Sequence, residues 1–265
     1  MKNKMGYILS IFLMGFSGAV LAEDNLDVVT TVTVNIINID LDLTDTISNG
    51  TVKRKTTSPD LQGIDIGVSL IDGKMYYGFS AQSTGRAVAD YSEDVSGTVT
   101  ESSQLNSRSA FNFYAGYRMF QDSSFYLGYT KGTSSFGDQL SFDEAGPFIG
   151  ARHTFRLGAK SSISLDASYS NLETNIFLKD DDYRNTGSNN EDGHNIDADT
   201  TGFSYSATWL KSLDRGRSFF IRLKIKDFDI ESGSTGVQNA DASFVGTATI
   251  TGSQRITSLN FGVAF

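Results

Sequence analysis

The chain has no cysteine, two prolines, one tryptophan and two histidines. Without cysteine, neither disulfides nor thiol chemistry contribute. His153 and His194 do not make a metal site by spacing, and no nucleophile motif accompanies them. Catalysis needs a base within hydrogen-bond reach of its nucleophile, so no enzyme activity and no cofactor is expected. Basic residues are scarce: 22 Lys and Arg face 31 Asp and Glu, a formal charge of −9. That balance excludes nucleic-acid recognition through a basic face. Beyond the N-terminus no run is long and apolar enough for a membrane helix.

Aromatic residues are plentiful, with 19 Phe and 11 Tyr, although mean hydropathy is only −0.21. An amphipathic β protein reconciles the two, because alternate residues of each strand face polar surroundings.

Lys2 and Lys4 precede a mostly apolar stretch from Tyr7 to Val20, and Val20-Leu21-Ala22 suits cleavage before Glu23. Residues 1–22 therefore read as a secretory signal peptide. Residues 23–265 read as one barrel domain at a formal charge of −11, since the leader takes two lysines with it.

The end of the chain alternates strictly. Leu259, Phe261, Val263 and Phe265 fall on one face; Ser258, Asn260, Gly262 and Ala264 fall on the other. This stretch resembles the C-terminal strand of Gram-negative outer-membrane β-barrels. The resemblance implies a location in the outer membrane, contact with its lipids, and delivery by periplasmic chaperones and barrel-assembly machinery. It also implies that Phe265 serves as an assembly signal.

Similar alternation recurs from Leu61 onward. Ile64, Ile66, Val68 and Leu70 lead to the turn Asp72-Gly73, then Tyr77 and Phe79 return. Phe111 to Tyr117, Phe125 to Tyr129, Ile149 and Ala151, Ile163 to Tyr169, Phe203 to Trp209 and Phe219 to Ile225 follow the same period. Short connections near 71–74, 119–123, 156–160 and 211–217 alternate with long ones. The long ones, 44–60, 84–106, 132–144, 173–197 and 229–250, are expected outer loops. Nine strands from Leu61 require a tenth to return both ends to one side, and Val28–Leu43 supplies it. Its apolar parity changes at Ile36-Ile37, where a bulge is expected. The expected fold is all-β: a closed antiparallel transmembrane β-barrel of ten strands, with eight or twelve as alternatives and a secreted β-sandwich as the soluble one.

Two groups of residues invite a function. Arg118, Arg152, Arg222, Lys224 and Lys226 are expected to face the lumen with Asp65 and Asp166. They make either a selective polar pore or a salt-bridged plug, because pore width depends on shear and tilt. Asp180, Asp181, Asp182, Glu191, Asp192, Asp197 and Asp199 crowd one outer loop. They suit divalent cations as oxygen donors but lack the spacing of a dedicated calcium loop, and a solvated loop kept soluble by charge repulsion is the plainer reading. His153 is expected on the outward face near a short turn, and His194 in the acidic loop. The sequence thus points to a structural barrel or a narrow channel for small polar solutes or ions. The alternative is a surface adhesin that binds through the acidic loops.

Overall fold

The computed structural model describes residues 26–47, 50–95, 97–179, 183–186, 193–213, 216–239 and 245–265. The expected signal peptide lies outside these residues. The fold is all-β, with thirteen antiparallel strands among the described residues in one barrel-like sheet. They are β1 (Leu26–Ile47), β2 (Gly50–Asp72), β3 (Met75–Thr84), β4 (Ala87–Val95), β5 (Thr98–Phe120), β6 (Ser123–Phe136) and β7 (Leu140–Arg156). Then come β8 (Ser161–Leu178), β9 (Tyr183–Asn185), β10 (His194–Ser212), β11 (Ser218–Ser232), β12 (Thr235–Asn239) and β13 (Val245–Ala264). β3 and β4 lie end to end between β2 and β5. β1 pairs with β2 along one edge and with β13 along the other, from Thr31 opposite Ala264 to Ile47 opposite Ala248.

The long strands exceed what a bilayer needs. β1 has 22 residues and β2 and β5 have 23 each, against about 9–11 residues for a tilted transmembrane strand. The extra length carries the opposite polarity. Near the short turns, Val34, Phe113, Leu127, Ile149 and Tyr205 face outward, while Ser, Thr, Asn and charged residues face inward. Farther along the same strands the outward positions become Asp40, Asp42, Glu173, Asp199 and Asp229. The inward ones become Ile39, Leu41, Leu43, Phe136, Phe142, Ile176, Ile196 and Ile250, an apolar cluster packed inside the sheet beside buried polar residues such as Asp45, Arg54 and His194. An outward apolar band suits lipid, and an apolar interior beneath a charged wall suits water.

This reversal corrects two expectations. The parity change in β1 is not a bulge in that strand: Ile36 faces out, Ile37 faces in, and the alternation runs on undisturbed. What changes is the solvent on each side. A bulge does sit nearby, but on β2, where an extra residue shifts the pairing between Ile37 and Ile39. Asp60 takes φ +58° there, and its backbone N–H donates to Asn38 Oδ1 at 2.8 Å. The expected outer loops, in turn, are largely strand. Residues 44–47 and 50–60 belong to β1 and β2, 87–95 and 98–106 to β4 and β5, and 173–178 and 194–197 to β8 and β10. Inward Leu41, Leu43, Phe142 and Ile176 give these extensions a core to bury. Short connections fall where the sequence places them; at the β2–β3 turn, Gly73 at φ +58° takes the left-handed conformation that glycine adopts without strain.

Candidate functional site

Beneath the apolar core the interior opens into a polar cavity of about 320 Å³. Alternation on five strands aims its charged groups inward: Asp65 from β2, Arg108 from β5, Arg152 from β7, Asp166 from β8, and Arg222, Lys224 and Lys226 from β11. Six of the seven lumen residues expected from sequence therefore come together. Arg118 does not. It shares the inward parity but sits beside the register shift between Arg118 and Phe120 at the end of β5, and it is exposed.

Two cations have fixed partners. Arg152 Nε lies 3.2 Å from Asp166 Oδ2, and the Tyr126 hydroxyl donates to Asp166 Oδ1 at 2.8 Å. Arg108 pairs with Glu144 and donates to the Ser134 hydroxyl. Glu144 lies above the apolar band, between outward Asp143 and Ala145. Burial opposes its charge most, yet Arg108 and then Lys226 outweigh it and hold its carboxyl below the usual glutamate value. Arg222 Nε donates to Thr208 Oγ1 at 3.0 Å. Lys224 and Lys226 have no hydrogen bond or ion pair among the described residues; Lys226 lies 5.8 Å from the Phe228 ring centroid.

Toward the short turns, aromatic rings brace the wall. Tyr114 lies against Gly78 and Tyr76 against Gly116, each so close that a Cβ would fall within about 2.2 Å of a ring atom. Tyr76, Tyr114, Tyr126 and Phe148 follow one another at centroid spacings of 6.0–6.1 Å.

A second polar cluster lies within the upper core. Arg54 bridges Asp45 and Glu93 at 3.0 Å each, and His194 Nε2 approaches Asp45 Oδ2 at 3.6 Å. Sequence reasoning missed it, because 44–60 and 84–106 read as loops. The signal was the inward parity of Arg54, Thr56 and Ser58. His194 is 0% exposed and faces the interior, not the loop surface expected for it. His153 is exposed at the lower rim, as expected, with Nδ1 2.7 Å from the Ser123 hydroxyl.

Of the acidic set, Asp180, Asp181, Asp182, Glu191 and Asp192 lie outside the described residues. Asp197 and Asp199 are not loop residues; they face outward on β10. Asp199 stands opposite Glu173 on one side and Glu231 on the other, and Asp197 accepts from Asn175 Nδ2 at 2.8 Å. No acidic or histidine group suited to a metal ion occurs among the described residues. Phe265 is bonded at both backbone groups to Thr30, at 2.9 and 3.0 Å.

Neither a protein-family model nor a curated protein matches this chain. Solved structures do. The outer membrane protease OmpT from Escherichia coli superposes with a TM-score of 0.70 at 10% identity, over 94% of this chain and 99% of that one. The β domain of the Bordetella autotransporter BrkA gives a TM-score of 0.42 at 13% identity, over 90% and 99%. OprG from Pseudomonas aeruginosa gives 0.43 at 9%, over 89% and 95%. The likeness to OmpT is one of fold: this chain has the architecture of an outer-membrane β-barrel protein.

Proposed function

We propose that the chain closes as a ten-staved barrel in the Gram-negative outer membrane and acts as a sealed, non-catalytic scaffold that projects from the surface. In this reading β3 and β4 form one stave, while β9 and β12 are short additions. Its lower half spans lipid, and its upper half is a water-facing β-structure with a solid interior. The observation that carries the reading is the polarity reversal along single strands, above all the packing of inward Leu41, Phe142, Ile176 and Ile250 into one buried apolar cluster. An open polar pore does not accommodate that layer, so the structural barrel is favoured over the channel.

OmpT is described as a protease. The one His–Asp approach among the described residues, His194 to Asp45, is enclosed in the core, where no peptide reaches it. Protease activity is not carried over. The adhesin reading keeps one support: the outward row Glu173, Asp199 and Glu231 across three strands. Loss of cell-surface binding on neutralising this row, with the barrel intact, would favour it.

The lack of native cysteine gives a direct test. Asp229→Cys should react with a membrane-impermeant maleimide on intact cells. Gly73→Cys should react only after the outer membrane is permeabilised. Labelling of both in intact cells, or of neither, would overturn the orientation.

A further inference from the structure

The chamber below the plug carries more positive charge than its own carboxylates balance. β11 sets Arg222, Lys224 and Lys226 on successive inward positions, about 6.6 Å apart by the strand repeat. Arg108 and Arg152 are already paired with Glu144 and Asp166. Asp65 is the remaining carboxylate on the chamber wall. Among the described residues, five basic side chains thus meet three carboxylates, a formal excess of two positive charges. Like charges in a narrow lumen repel strongly because bulk water does not screen them. A bound dianion relieves that repulsion.

The rest of the wall suits an oxyanion. Ser204 and Ser206 supply hydroxyl donors beside the lysines, and the cavity is of small-ligand size. The apolar layer blocks approach from the projecting half, which leaves the short-turn side for access. We infer that this chamber is a binding site for a small oxyanion of the phosphate or sulfate class, held by Lys224, Lys226 and Arg222. The inference rests on the sealed-barrel reading only for the side of access. Ion conductance would break that reading, whereas failure to bind an anion would break this one.

The test is calorimetric titration of inorganic phosphate into the folded full-length protein in non-ionic detergent, free of phosphate and sulfate. Wild type should bind saturably, and sulfate should compete. Lys224→Gln with Lys226→Gln should weaken affinity at least tenfold. Asp65→Asn, which removes the opposing carboxylate, should tighten it. Mobility before and after boiling reports folding for each variant. If the double variant does not fold, Asp65→Asn decides alone. No saturable binding to wild type, unchanged affinity in a folded double variant, or no tightening in Asp65→Asn would overturn the inference.

Discussion

Ile36 and Ile37 are consecutive residues of β1 with opposite surroundings. Ile36 is 37% exposed on the outer face, and Ile37 is 1% exposed in the core. Below Ile36 the outer face is apolar, and above Ile37 the inner face is apolar. In the proposed orientation, the pair marks the level at which the strand leaves lipid and enters water.

Charge insertion should report that boundary. Val34 faces outward within the apolar band, 58% exposed. Val34→Arg should cost about 2–4 kcal/mol near the bilayer midplane and less toward its edge. Thr251, on the projecting wall opposite Glu231, should accept arginine within about 0.5 kcal/mol. Urea unfolding of vesicle-inserted protein compares them, and equal costs would contradict the assigned boundary.

The plug should behave as a packed core. Phe136 and Phe142 meet edge-on at 5.9 Å, both essentially inaccessible. Phe142→Ala should destabilise the protein by about 3–5 kcal/mol. A loss below about 1 kcal/mol would mean that the upper interior is loosely filled.

Much of this architecture is legible in the sequence. Alternation in Ile64–Leu70 and Phe111–Tyr117, the Asp72-Gly73 turn and the terminal strand identify the membrane half, because lipid demands an uninterrupted apolar outer face. That same half yields six lumen charges by parity alone. The projecting half is hidden for the same reason: there Asp40 and Asp42 face out while Leu41 and Leu43 face in, so a search for greasy outward residues reads the strand as loop. Arg54 and Glu144 were lost with it, and Arg108 of the chamber below, which pairs with Glu144, was missed as well. Their pairing depends on which strands become neighbours across the lumen, which local spacing does not encode.

The Arg108–Glu144 pair should make stability pH-dependent. Glu144 is held below its ordinary value of 4.5, so its contribution is present above that pH. It is lost as pH falls through the lower folded-state value. Glu144→Gln should cost about 3–5 kcal/mol at neutral pH, since it leaves a buried guanidinium without its partner charge. The difference from wild type should shrink on acidification. A pH-independent difference in unfolding midpoints would contradict the ion pair.

Phe265 should matter more for assembly than for stability. Its backbone bonds to Thr30 tie the end of the chain to β1, and its side chain is 52% exposed. Phe265→Ala keeps those bonds and removes a lipid-facing group worth at most about 1.5–3 kcal/mol. Purified protein should still refold into detergent, whereas its abundance in the outer membrane of cells should fall severalfold. Unchanged abundance would count against a signalling role.

Conductance across a planar bilayer tests the sealed barrel most directly. Purified wild-type protein, shown to be inserted by its mobility before and after boiling, should give no discrete, stable current steps in potassium chloride. Reproducible single-channel steps from the unmodified protein would contradict the plug formed by Leu41, Phe142, Ile176 and Ile250, and with it the account of a sealed surface scaffold.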